Sequence, residues 1–327
     1  MHRMMASNTD QIRMAYNGHL THGHFLPAVY VIEVTNKCNL LCKMCPSRLI
    51  QNDIRGEMSL ELFGRIVEEV GDVAEHVMLY FMGEPLTRRD LSELLSKARR
   101  EIRGKISLST NGMLLNDDAA RVLVDSGIDL VICCIDHIVR EKYADIRRGG
   151  NLDIVENNTV NLLEKINSKH SAMTVVVKAL DFGFSDDERE VFKKKWEEKG
   201  GIPIIGWVDT WAGQFPELIG VGSTPQPNCG AKRCHCADLW FKMVVNWRGT
   251  VVQCCHNYDY SFPIGHLGED ILVKDLWQNP VAVSLRQMHV DGMWAQNRLC
   301  ASCSEWACIS ELEAYTKLDR RDLFLVF

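Results

Sequence analysis

Between about residues 27 and 210, six short apolar runs alternate with amphipathic stretches, and this order leaves few folds open. Ala28–Thr35, His76–Met82, Lys105–Ser109, Leu130–Ile135, Met173–Lys178 and Ile202–Trp207 read as buried strands. Ser59–Val70, Asp90–Arg100, Asp117–Asp125, Asp153–Ile166 and Asp186–Lys199 carry apolar residues at helical spacing, with Ser59 and Asp90 as N-cap candidates. Strands that alternate with helices form βαβ units, and hence a parallel sheet. Six repeats fall short of an eight-stranded barrel, so an open or partial barrel is expected, with its working residues at the carboxyl ends of the strands.

After about residue 212 the pattern changes. Gly213 to Cys236 is irregular and contains Pro216, Pro225 and Pro227. Phe241–Trp247, Arg248-Gly249 and Thr250–Cys254 read as a β-hairpin, and a helix is expected over Val273–His289. This division gives an N-terminal extension over 1–26, a barrel over 27–212, a small second domain over 213–310 and a tail over 311–327. A net charge of -6 argues against a protein that tracks nucleic-acid phosphates. No apolar run reaches the roughly 18–20 residues of a membrane span. The polar N-terminus lacks the apolar stretch of a secretory signal, so a cytoplasmic location is expected.

Ten of the thirteen cysteines fall into two groups. In a reducing compartment such a chain uses thiols for metal binding or chemistry rather than for disulfides. The first group is Cys38-x3-Cys42-x2-Cys45, in a polar loop directly after the first expected strand. Three thiolates hold three irons of a [4Fe–4S] cube and leave the fourth iron open to a small chelating ligand. A zinc site completed by His22, His24 or another cysteine is the alternative. The second group is Cys229, Cys234, Cys236, Cys254, Cys255, Cys300 and Cys303. Cys236, Gly249 and Cys254 frame the hairpin, and Cys300-x2-Cys303 follows later; four thiolates from these would saturate a second cube, or a Zn(Cys)4 site.

CNLLCKMC after a strand is similar to the signature of the radical S-adenosylmethionine (SAM) superfamily, with Met44 where relatives usually have an aromatic residue. The resemblance implies a partial (β/α)6 barrel and a SAM-binding [4Fe–4S] cluster at Cys38, Cys42 and Cys45. SAM would chelate the open iron, and its reductive cleavage would give a 5′-deoxyadenosyl radical that abstracts hydrogen from the substrate. Gly83-Glu84-Pro85 resembles the motif that binds the SAM amino group, with Met82 in place of its first glycine. Ser109-Thr110-Asn111-Gly112 resembles the turn beside SAM, Cys134-Ile135-Asp136 lies where relatives often read Ser-Ile-Asp, and Tyr143 to Arg147 resembles a segment whose Arg faces the SAM carboxylate. The cofactor-binding residues implied are thus Met44, Gly83, Glu84, Pro85, Ser109, Asn111, Asp136 and Arg147. The second cysteine pattern resembles the auxiliary-cluster region called SPASM, in its shorter twitch form, with Cys236, Cys254, Cys300 and Cys303 as ligands of an auxiliary [4Fe–4S] cluster.

The substrate that kinship implies is a hydroxylated small molecule such as a sugar, aminoglycoside or cyclitol, with a flavodoxin or ferredoxin as electron donor. Cys255 is adjacent to the ligand candidate Cys254, so in a strand its thiol points to the opposite face, as the hydrogen donor of an epimerase would. Cys134, at a strand end, is the second candidate donor and Cys308 a third. Alcohol oxidation with the auxiliary cluster as electron acceptor is the alternative. Peptide modification and a zinc-stabilised binding module are the further ones. Asp209 and Trp211 are placed with Asp136 and Arg147 in a polar pocket at the strand ends.

Overall fold

The computed structural model describes residues 7–222 and 233–303. Six parallel strands, β1 (Val29–Ile32), β2 (His76–Met78), β3 (Lys105–Thr110), β4 (Leu130–Cys134), β5 (Thr174–Leu180) and β6 (Ile202–Gly206), stand in sequence order. Between them run α2 (Leu60–Val70), α3 (Leu91–Glu101), α4 (Asp117–Asp125), α5 (Arg140–Ile146), α6 (Leu152–Lys169) and α7 (Asp186–Glu197); α1 (Asn8–Asn17) precedes β1. The expected strands are all present, and the sheet of β/α units is the partial (β/α)6 barrel.

The helices cover one face of the sheet. Phe63, Ile66, Leu94, Leu95, Leu123, Leu162, Phe192 and Trp196 bury against it to form the main core. Ser59 caps α2 as its sequence indicates, its hydroxyl accepting from the Leu62 N–H. Asp90 does not cap α3; its carboxylate takes the Arg88 guanidinium at 2.6 and 2.8 Å instead. That guanidinium is itself fixed by the carbonyls of Val34 and Met58, so the ion pair outcompetes the cap.

The second region continues the same sheet. β7 (Lys242–Val245), led by the short α8 (Asp238–Phe241), pairs in parallel with β1 on the side opposite β2. β8 (Thr250–Val252) and β9 (Pro263–His266) then add antiparallel to give a nine-stranded order β6-β5-β4-β3-β2-β1-β7-β8-β9. Gly249 takes the positive φ (89°) of the expected hairpin turn. The helix expected over Val273–His289 is two helices, α9 (Val273–Trp277) and α10 (Pro280–Val290). Pro280 has no N–H for a continuing helix, and Asn279 before it caps a new one by accepting from the Ala282 N–H. α11 (Arg298–Ala301) carries Cys300. Among the described residues no helix is long and apolar enough to cross a membrane.

The N-terminal segment is bound into this second region. Ser7 and Asp10 form a capping box at the start of α1, and Tyr16 packs edge-on against Trp240 of α8 with ring centroids 5.5 Å apart. Arg286 of α10, 1% exposed, donates to the carbonyls of Leu239, Thr21 and Trp277 at 2.8–3.0 Å and lies over the Trp277 ring. Replacing it with Met strands three buried carbonyls. Arg286→Met is expected to lower unfolding free energy by about 3 kcal/mol or more, read from the urea midpoint.

Candidate functional site

The loop after β1 has no sheet or helix to satisfy its backbone, and neighbouring segments supply the partners. Leu41 and Lys43 N–H groups donate to the Arg148 and Ile146 carbonyls at 3.0 and 2.8 Å, which ties the loop to the end of α5. Asn36 holds the return strand: its amide oxygen accepts from Gly56 N–H at 2.7 Å and its NH2 donates to the Ile54 carbonyl at 3.0 Å. Arg55 donates to the carbonyls of Asn36 and Ser47 at 3.2 and 2.6 Å. Cys38, Cys42 and Cys45 pack in this loop with Leu40, Met44 and Ile146, and none is in a disulfide.

Gly83 and Glu84 close the next side. A Cβ on Gly83 would lie 2.2 Å from the Thr35 carbonyl and 2.8 Å from that of Lys37, so only glycine lets the β2 end pass the cysteine loop. The Glu84 N–H donates to the Lys37 carbonyl at 2.8 Å. Its buried carboxylate accepts from Thr110 Oγ1 at 2.8 Å, Asn111 N–H at 2.7 Å and Leu86 N–H at 3.1 Å, which locks β2 to β3. Burial still leaves its pKa above the usual carboxylate value. Pro85 opens a single 3-10 turn directly after it. Asn111 donates to Asn39 Oδ1 at 2.8 Å, beside the Cys38 thiol, and Ser109 Oγ lies 3.4 Å from Cys134 Sγ. Arg147 Nε donates to the fully buried Asp136 at 2.5 Å, while the other Asp136 oxygen accepts from Leu180 N–H. Arg147 also ends α5 as its C-cap, its N–H donating to the Tyr143 carbonyl at 2.7 Å.

The second group gathers around one cavity lined by Cys236, Cys254, Cys300 and Cys303 with Arg233, Gln253, His256 and His289. Cys300 Sγ accepts from Gln253 Nε2 at 2.9 Å and lies 3.3 Å from His289 Nε2. The Cys236 N–H donates to His289 Nδ1, which places the ring proton on Nε2, facing the thiol. Cys234 lies instead beside Tyr16, and Cys229 and Cys308 fall outside the described residues. Gln253 and His289 are supports that no spacing rule marks.

Cys254 and Cys255 part company. Cys254 lines the cavity, whereas Cys255 packs against the cluster of Val29, Val31, Met78, Val244 and Val252 on the concave face of the sheet. Its thiol lies 3.8 Å from His256 Nδ1, and His256 Nε2 is 2.9 Å from Asp209 Oδ2. Burial alone would lower the His256 pKa, but the Asp209 carboxylate holds it well above the ordinary histidine value. Trp211 and Ala212 then adopt left-handed φ of 54° and 59°, costly for residues with a side chain. The turn reaches both loops: Trp211 Nε1 donates to the Met44 carbonyl at 2.9 Å, and Ser302 Oγ donates to that of Ala212 at 2.7 Å. Cys133, next to Cys134, is fully buried in the main core.

Both sets of thiols fit iron–sulfur clusters chemically. Burial pushes Cys42 up to about 11, Cys45 to about 12 and Cys300 to about 12, and holds Cys38 and Cys236 above the free-thiol value. Such thiols ligate when metal charge replaces the proton. Two donors aimed at Cys300 suit a sulfur that carries cluster charge.

Comparison with known proteins agrees with this architecture. The family model described as the radical SAM superfamily matches residues 32–193, and that of an iron–sulfur cluster-binding domain, SPASM, matches 234–304. A probable GTP 3',8-cyclase of Methanococcus maripaludis is 34% identical over 134 residues, 41% of this chain and 44% of the relative. The chain thus spans less than half the length of the cyclases it matches. The S-adenosyl-L-methionine-dependent 2-deoxy-scyllo-inosamine dehydrogenase of Niallia circulans is 22% identical over 84% of this chain and 91% of the relative. The solved structure of BtrN in complex with AdoMet and 2-DOIA superposes with a TM-score of 0.59 at 18% identity, over 86% of this chain and 94% of that one. At that identity the likeness bears on the fold. Iron analysis of anaerobically purified protein is expected to give about eight irons per chain, falling to about four when Cys38, Cys42 and Cys45 are all replaced by Ala.

Proposed function

The chain belongs to the radical SAM superfamily and carries a C-terminal SPASM region, and from that premise we propose that it inverts a C–H centre of a hydroxylated small molecule, with Cys255 as hydrogen donor. In this reading Cys38, Cys42 and Cys45 hold the SAM-binding cluster, and Cys236, Cys254, Cys300 and Cys303 hold the auxiliary one. Bound SAM and its cluster supply a 5′-deoxyadenosyl radical when an external donor such as a ferredoxin or flavodoxin provides an electron. Met44, Gly83, Glu84, Pro85, Ser109, Asn111, Asp136 and Arg147 orient SAM. Glu84 is the acceptor that its amino group meets, and Arg147, already aligned by Asp136, is the cation for its carboxylate.

The observation that carries the stereochemical reading is the divergence of Cys254 and Cys255. It puts a free thiol on the concave face, where the substrate's reacting carbon would lie. Cys255 gives its hydrogen atom to the opposite face of the carbon from which hydrogen was removed. The sulfur radical left behind then takes one electron from the reductant and one proton to restore the thiol. Cys134, beside Ser109, is the second thiol on this face and the alternative donor.

A second reading is two-electron oxidation of an alcohol, and the match to a dehydrogenase over most of both chains favours it. The auxiliary cluster would then accept an electron, and Asp209 with His256 would manage the hydroxyl proton. Turnover in heavy water separates the two. Inversion adds one deuterium per product, and Cys255→Ala still cleaves SAM but yields no inverted product. A product lighter by two hydrogens identifies oxidation.

A further inference from the structure

Three charged pairs close on the concave face of the sheet, and Lys178 stands apart from them. Asp136 holds Arg147 at 2.5 Å, Asp209 holds His256 at 2.9 Å, and Asp238 holds Lys242 at 2.9 Å. His76, 2.7 Å from Ser107 Oγ, stays neutral because burial depresses its pKa to about 3. Lys178 on β5 remains. Along β5, Val175, Val177 and Ala179 enter the main core, while Val176 joins Leu130, Ile132, Cys134, Tyr80 and Ile204 on the other side. Strand alternation therefore puts Lys178 on the concave face with Val176, in register between Cys134 of β4 and Ile204 of β6.

The ionisable groups that act on Lys178 include Cys134, Asp136, Asp209 and Arg147, and both carboxylates are already engaged, by Arg147 and His256. Among the described residues no carboxylate lies within ion-pair distance of its ammonium. The neighbouring strand leaves space beside it. Gly206 has no side chain, and a Cβ built there would find the Lys178 stem 3.9 Å away as its nearest neighbour. A half-buried cation with no carboxylate beside it is costly, and desolvation pulls the Lys178 pKa below that of a free amine. Such a charge suits a site whose counter-charge arrives with the ligand.

We propose that Lys178 docks an acidic group of the substrate, a carboxylate or a phosphate, so that the substrate is an acidic polyol rather than a neutral or amine-bearing one. The inference rests on the concave face being the substrate's site. An acid group held at Lys178 leaves the hydroxylated carbons to extend toward Tyr80, which borders both the cluster that Cys134 joins and the one that Cys255 joins. Lys178 then selects the substrate and the thiols act on it.

The test is binding without turnover. Reconstituted holoenzyme with SAM, kept free of reductant, is titrated calorimetrically with glucose, glucosamine, glucuronate and glucose 6-phosphate. At least one acid is expected to bind about tenfold or more tightly than glucose and glucosamine, and which acid prevails separates carboxylate from phosphate. Lys178→Met should bring the acids to within about twofold of glucose, and Lys178→Arg should keep most of the preference. No preference for the acids, undetectable binding of all four included, overturns the proposal. So does a preference that persists in Lys178→Met, or a variant that weakens SAM alone. No product is formed, so a failure here is distinct from failure of the inversion reading, which only product analysis reveals.

Discussion

A loop that carries three thiols within eight residues does not close all of its own backbone hydrogen bonds, and much of the molecule is arranged around that fact. Buried N–H and C=O groups need partners. The loop after β1 finds them in the end of α5, in the Asn36–Gly56 return, in Arg55, and in Arg88, whose guanidinium spans the carbonyls of Val34 and Met58. Gly83 is a glycine because the β2 end must pass against this loop with no room for a Cβ. The motif residues are therefore structural first: Glu84 and Asn111 fasten strand ends and the cysteine loop to one another, and the proposed SAM site is the surface they leave.

The second half of the chain solves the same problem differently. Its four cavity thiols come from two residues before α8, two residues after β8, from α11 itself and from two residues beyond α11. Side chains such as Gln253, His289 and Asn297 fix their setting: Asn297 caps α11 and donates to Gln253, which in turn donates to Cys300. The left-handed turn at Trp211 and Ala212 is pinned from both halves, through Met44 and through Ser302. Its strain persists because contacts from both sides specify it.

Much of this was legible in the sequence, because period-two and period-3.6 patterns survive wherever one face is buried. All six barrel strands and the hairpin follow from those patterns, as does the capping role of Ser59. Short or distant elements were not visible. The seven residues of α5 are too few to show periodicity, and β9 contains Pro263 and Gly265. The break before Pro280 was readable from the proline but hidden by apolar residues on both sides. The cysteine spacing marks candidate metal ligands, yet pairings such as Asp209 with His256 and Asp136 with Arg147 depend on chain crossings that spacing does not encode. Lys178 had a signal, a lysine in the alternating TVVVKAL segment, but only the structure shows that its neighbours' charges are spent.

The parallel pairing of β1 with β7 has a consequence for the growing chain. β1 is synthesised before both of its partners, and on one side that partner is β2, available within some fifty residues. On the other side its partner begins at Lys242, long after the rest of the barrel has left the ribosome. Through that interval the apolar strand VYVI keeps an open row of backbone donors and acceptors, a template for pairing with other chains. The final hairpin thus acts as the seal of the barrel as well as the frame of its second metal site, and a polypeptide halted before it would be prone to self-association.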